Sequence, residues 1–164
     1  MFRYAAIAAA GALLAFGALQ VATGSAAHAA ADAPLRGAQG SEGEPARLTK
    51  AADGQFWADA VIDGRAVRLL VDTGATSVSL TPQDAERLGL YMGGLVYDRT
   101  VRTADGDSLA ARVKLHSVSV GGVRLAEVDA LVIGRGLPAS LLGMSYLGRL
   151  SRFEATPSTL VLNP

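Results

Sequence analysis

At 164 residues the chain has room for one domain of ordinary size and a tail, which excludes a two-lobed enzyme. Half of the residues are hydrophobic and 15 basic residues balance 15 acidic ones, so there is no sustained positive field for a phosphate backbone and nucleic acid is not expected as a partner. Cysteine is absent, which removes thiol nucleophiles, disulfides and thiolate metal sites together.

The N-terminus opens with Arg3, continues as an alanine-rich apolar run over residues 5–22, and reaches small residues at Ala27 and Ala29, the two positions a signal peptidase reads. This pattern predicts a signal peptide over residues 1–29. Gly11 and Gly17 and the many alanines make the run weakly apolar, but its length reaches the lower limit for spanning, so an uncleaved N-terminal membrane anchor is the alternative. Either outcome places the rest of the chain in the periplasm or cell envelope. Cleavage after Ala29 removes one basic residue, Arg3, and no acid, so the charge balance hardly changes. Residues 30–50 carry Pro34, Gly37, Gly40, Gly43 and Pro45 and little bulky apolar matter, so they read as a flexible linker, with the folded domain over 51–164.

From Phe56 onward the apolar residues alternate. Ala58, Ala60 and Ile62, then Val67, Leu69 and Val71, follow the two-residue period of half-buried strands, and Asp63-Gly64 between them is a preferred tight-hairpin dipeptide. Thr81 as N-cap, Pro82 at the first helical position, Asp84 in the first turn and Gly89 as terminator bound a short helix. A second hairpin turns at Gly121-Gly122, and the apolar phase of Val113 and Leu115 slips by one at Val118, which predicts a bulge or bend. Leu142, Tyr146, Leu147 and Leu150 share one face of a second short helix over about 142–150, and the residues from Thr159 to the C-terminus look extended.

Within this β pattern, Leu69-Leu70-Val71 runs straight into Asp72-Thr73-Gly74-Ala75. A carboxylate at the mouth of a buried apolar strand is costly unless it is paired or hydrogen-bonded. Asp72 could simply cap a turn, with Gly74 supplying positive φ, and a three-residue match alone does not decide against that. The segment also resembles the catalytic signature of the aspartic proteases, and other parts follow in that family's order. Leu141, Leu142 and Gly143 resemble the apolar-apolar-glycine element that braces the catalytic strand. Residues 101–113, with Ala104, Asp105, Gly106 and Asp107 at the tip, resemble the flap that covers substrate. The resemblance spans residues 56–162, Ala75 after the glycine gives it the retroviral form, and the exported retropepsin-like proteins of bacteria are more similar still.

The resemblance implies an all-β, acid-protease (retropepsin-like) closed barrel with one or two short helices. With one acid motif, each subunit carries half a site, so the active form is a homodimer with Asp72 of each copy at the two-fold axis. Thr73 would brace the two loops, Gly74 would allow close approach, and the flap would exclude water. The paired carboxylates would share one proton and activate a water against the bond of a peptide or protein substrate, with neither metal nor cofactor. The acids at the flap tip depart from the glycine-rich, apolar viral pattern.

Other constellations are weaker. His116 stands on a strand without a catalytic partner motif and reads as a surface or edge residue. Ser145 lacks the second glycine of a nucleophile elbow. Gly134-Arg135-Gly136-Leu137-Pro138-Ala139 imitates a dinucleotide turn, but too little chain follows it to build that fold. Phe56 and Trp57 read as packing residues at the domain edge. Two functions are therefore set against each other: an aspartic endopeptidase acting on envelope or periplasmic proteins, and a non-catalytic peptide-binding or scaffold domain that keeps the acid-protease fold.

Overall fold

The computed structural model describes residues 43–164, so the expected signal peptide or anchor and most of the expected linker lie outside the described residues. In chain order the elements are β1 (Ala46–Thr49), β2 (Trp57–Ile62), β3 (Arg65–Val71), β4 (Val78–Leu80), α1 (Pro82–Arg87), a 3-10 turn (Met92–Gly94), β5 (Arg99–Thr103), β6 (Gly106–Val120), β7 (Val123–Ile133), β8 (Leu141–Leu142), α2 (Met144–Leu147), β9 (Arg152–Ala155) and β10 (Thr159–Asn163). Among the described residues no helix is long and apolar enough to cross a membrane.

The main sheet runs β2-β3-β8-β4-β7-β6-β5, and β2 also pairs with the far end of β6 through Ala60 opposite Val120 and Ile62 opposite Val118. That second pairing closes the sheet into a barrel and leaves β5 outside the ring on the free half of β6. The inward positions follow the alternation: Ala58, Ala60, Ile62, Val67, Leu69, Val118, Val120 and Leu142 are buried. The fold is the all-β acid-protease barrel with two short helices.

The turns explain the register. Asp63 and Gly64 both take positive φ, +49° and +82°, the pairing that matches strand twist in a two-residue hairpin. The bend in β6 is real, but it is shared. Both β6 and β7 change their inward phase, at 116–117 and 126–127, so the register on either side is the same. Glu127 takes φ +52° there. The backbone groups released at the bend are recaptured by side chains. The Asp63 carboxylate accepts from the N–H of His116 at 3.3 Å and of Ser117 at 2.7 Å, while Arg149 Nη1 donates to the carbonyls of Ala126 at 2.8 Å and Glu127 at 3.1 Å.

Two expectations are corrected. The linker does not extend to residue 50, because residues 46–49 form β1, which pairs antiparallel with β10 and buries Ala46. Its apolar alternation is too short to register in the sequence, and it is stabilised by a partner at the opposite end of the chain. The second helix is shorter than expected: Leu142 belongs to β8, and after Leu147 the chain continues in tight turns, Arg149 N to Tyr146 O and Leu150 N to Leu147 O. The apolar face survives, since Leu142, Tyr146, Leu147 and Leu150 are all buried.

Candidate active site

Asp72 follows directly on β3, which lies parallel to β8 with Leu70 opposite Leu141 and Val71 opposite Leu142. The Asp72 N–H donates to the Leu142 carbonyl at 3.1 Å, so the brace strand fixes the backbone of the acid. The side chain turns back on its own loop. Its Oδ1 accepts from the Gly74 N–H at 2.8 Å, and the Asp72 carbonyl accepts from the Ala75 N–H at 3.3 Å. Turn capping is therefore part of what Asp72 does. Gly74, however, does not take positive φ; a Cβ added there would stand 3.1 Å from Asp72 Oδ1, so its lack of a side chain serves close approach.

The loop is locked from behind. Ala75 accepts at its carbonyl from the Met144 N–H at 2.8 Å, and Ser145 Oγ accepts from the Val78 N–H at 2.8 Å. Gly143 sits so close to the carbonyls of Ser77 and Ala75 that an added Cβ would come within 2.7 Å of the Ala75 oxygen and nearer still to that of Ser77. Ser140, fully buried, donates to Asp84 Oδ2 at 2.6 Å and accepts from the Thr81 N–H at 3.0 Å, which ties the brace to the N-cap of α1. Thr81 also caps α1 through the Asp84 N–H at 3.2 Å. Behind the brace, Tyr146 is fully buried and donates its hydroxyl to the Val123 carbonyl at 2.9 Å; burial pushes its phenol well above the usual tyrosine range.

The β5–β6 hairpin projects over this loop. Ala104 and Asp105 form its two-residue tip, Gly106 takes φ +107°, and Thr103 Oγ1 donates to the Gly106 carbonyl at 2.8 Å. Arg102 and Asp107 pair across it at 3.3 Å and are both exposed. Half-buried Asp72 and the underside of the hairpin, Val101 to Ala104, line one groove of about 700 Å³. Leu131 and Ile133 of β7 and Leu137 and Pro138 beyond it complete the apolar lining. Thr73 lies outside this lining, exposed on the surface.

The structure thus gathers Asp72, Gly74, Ala75, Ala104 and Leu141 around one groove, with Leu142 and Gly143 behind it. Asp105 and Gly106, at the flap tip beyond Ala104, are not part of the groove's lining. The wall formed by residues 136–138 is not among the site residues that the sequence indicates. The stretch imitates a dinucleotide turn in the sequence, but its structural role differs: a Cβ on Gly136 would meet Thr103 Oγ1 at 2.6 Å, so that glycine lets the loop lie against the flap. The available signal was position: a stiff Gly-Leu-Pro stretch immediately before the brace. His116 is exposed and 3.3 Å from Glu127, remote from the groove. Among the described residues no cluster of His, Asp and Glu could hold a metal ion.

Comparisons with known proteins agree with this geometry. The chain is 40% identical over 116 residues to an uncharacterized protein of a Sinorhizobium species, covering 70% of this chain and 50% of that one; it spans about half the length of the curated relatives it matches. A crystal structure of a retropepsin-like aspartic protease from Rickettsia conorii superposes with a TM-score of 0.67 at 34% identity, covering 73% of this chain and 98% of that one. The inhibitor-bound EIAV protease, at 21% identity and a TM-score of 0.50 over 62% of this chain and 92% of its own, shares the fold. The model of the gag-polyprotein putative aspartyl protease family matches residues 58–149, from β2 through the loop, flap and brace to the end of α2, and the chain belongs to that retropepsin-like family.

Proposed function

We propose that the protein is an aspartic endopeptidase that hydrolyses peptide bonds in envelope or periplasmic proteins, using a water activated between the Asp72 carboxylates of two identical subunits. The observation that carries this reading is the half-buried Asp72 in the wall of the groove that the flap also lines. A carboxylate retained among apolar walls needs a reason, and a shared proton supplies one.

Two such carboxylates brought together across an axis cannot both ionise easily, so one proton serves both. The ionised oxygen takes a proton from water as the water oxygen attacks the scissile carbonyl carbon. The protonated carboxyl gives its proton to the carbonyl oxygen. As the C–N bond of the resulting diol breaks, one diol hydroxyl gives its proton to the ionised carboxylate and the other carboxyl protonates the leaving nitrogen, which yields a carboxylic acid, an amine and the singly protonated dyad. Thr73 is exposed in the single chain, which is compatible with the role of bracing the two loops across the axis of such a dimer. Pairing of chains has a further support in the small sheet β1-β10-β9, whose outer strands β1 and β9 present open edges among the described residues.

The test is Asp72→Asn in the mature protein. Cleavage of a mixed peptide library should fall by roughly 10³-fold or more, while the mass in sedimentation and the circular dichroism stay those of the parent. Proteolysis that persists in this variant overturns the mechanism. Export is tested separately, by fractionating cells that make the full chain and sequencing the N-terminus of the recovered protein; recovery in the cytoplasm with residues 1–29 intact contradicts it.

A further inference from the structure

The face of the β6–β7 ribbon that supplies the groove with Leu131 and Ile133 continues past the end of the flap. Across the ribbon Ile133 stands opposite Ala110, Leu131 opposite Arg112 and Asp129 opposite Lys114, so these residues share one face. On β5, Arg99 is opposite Ala110 and Val101 opposite Ser108, which puts Arg99 and Val101 on the same side. The result is a second hollow of about 370 Å³, lined by Thr76, Ser77, Arg99, Val101, Arg112 and Leu131 among others. Thr76, Ser77, Val101 and Leu131 belong to both hollows, so the second is the outward continuation of the first.

The charge at this mouth is lopsided in a chain whose formal net charge is zero. Arg99, Arg112 and Lys114 face one acid, Asp129. Lys114 Nζ lies 2.7 Å from Asp129 Oδ1 and dominates the stabilisation of that carboxylate, with Arg112 adding a smaller share from farther off, so positive charge stays in excess at the mouth. Arg99 and Arg112 are both exposed, and their planar donors match a carboxylate better than a phosphate-free apolar chain would require. The apolar floor beneath them limits the water that can screen the site from that side.

We infer that the mouth formed by Arg99 and Arg112 is an extended subsite that takes an acidic side chain, Asp or Glu, of a peptide lying in the groove, at a position removed from the scissile bond. This rests on the reading of the groove as a peptide site. The apolar lining near Asp72 selects the residues at the cleavage point, and the two guanidinium groups select a carboxylate farther along the strand of substrate. An extended peptide rises about 3.3 Å per residue with alternate side chains on one face, so one register of acid should satisfy the site and its neighbours should not.

The test uses blocked dodecapeptides with one apolar cleavage region and a single glutamate or glutamine moved stepwise along the chain. Binding is measured on the Asp72→Asn variant by fluorescence anisotropy, and cleavage on the parent protein. One glutamate position should bind about fivefold to tenfold more tightly than glutamine, and the advantage should shrink as salt rises. In Arg99→Gln/Arg112→Gln on the Asp72→Asn background the ratio should fall to about one, and Arg112→Glu should favour lysine at that position instead. Equal binding of the two peptide series, or a preference unchanged in the double variant, overturns the inference. Failure of the endopeptidase reading has a different signature: the parent protein cleaves none of the peptides, while the glutamate preference in binding remains.

Discussion

The Asp72 loop and the flap line the same groove but are held by very different means. The loop is tied through backbone hydrogen bonds to β8 and the start of α2, by Asp72 to Leu142 and by Met144 to Ala75, with Ser145 closing the remaining gap at Val78. The flap beyond Ser108 is a two-stranded ribbon with a two-residue tip, one threonine hydrogen bond and one exposed ion pair. A ribbon of that kind is marginal by itself, whereas the floor shares the stability of the barrel. On the endopeptidase reading, the division lets the carboxylate be held still while a polymer is admitted and released.

The comparison breaks most severely if the floor is wedged open. Gly143→Ala places a methyl group against the carbonyls of Ser77 and Ala75, backbone atoms that cannot swing aside. The expected loss is roughly 3 kcal/mol in chemical denaturation, and on the endopeptidase reading cleavage should be lost with it, because the strain falls between the brace and the acid. A variant that keeps the parent's urea midpoint would show that the floor yields more easily than its contacts indicate.

A smaller change behind the same brace is Tyr146→Phe. It removes the hydroxyl that donates to Val123 O and leaves that carbonyl buried, at a cost of about 1–2 kcal/mol near neutral pH. Its pH dependence sharpens the test. Burial raises the Tyr146 phenol above its ordinary value of 10.0, so above that pH the unfolded chain loses a proton that the folded chain keeps. Stability from this group is therefore complete at neutral pH and declines as pH rises beyond about 10. Phenylalanine cannot titrate, so the gap between the urea midpoints of the two proteins should narrow in strong alkali; a constant gap contradicts the assignment.

Much of this division was legible in the chain. Asp63-Gly64, the Thr81-Pro82 helix start and the alternation in β2 and β3 are local patterns, and their turns and caps are determined within a few residues. The acid, the flap and the brace were likewise visible as short motifs in family order. What stayed hidden depends on distant partners. Barrel closure requires Ala60 and Ile62 to meet Val120 and Val118, β8 is two residues long, and β1 is a strand because β10 returns beside it. Arg149 and Ser140 look like ordinary surface and loop residues until the fold brings Ala126 and Asp84 to them. The groove wall at residues 136–138 has no periodicity to read, and its meaning comes from the hairpin lying across it.

The gentlest probe lies in the flap itself. Arg102 and Asp107 join its two strands, but both side chains are mostly exposed, and a single exposed pair contributes no more than about 0.5–1 kcal/mol. Arg102→Ala should therefore leave the urea midpoint within about 0.5 kcal/mol of the parent, since the core does not depend on it. Hydrogen exchange separates the two regions where stability does not. Amides of residues 99–107 should exchange severalfold faster in the variant, while those of Leu70, Asp72 and Met144 keep the parent's protection, because their acceptors are the carbonyls of Ser140, Leu142 and Ala75, outside the flap. If the endopeptidase reading holds, KM should rise more than kcat falls, as the ribbon grips the peptide backbone before chemistry begins. Equal loss of protection in flap and floor would mean that the ribbon and the Asp72 loop open as one unit, and the mechanical separation between them would have to be abandoned.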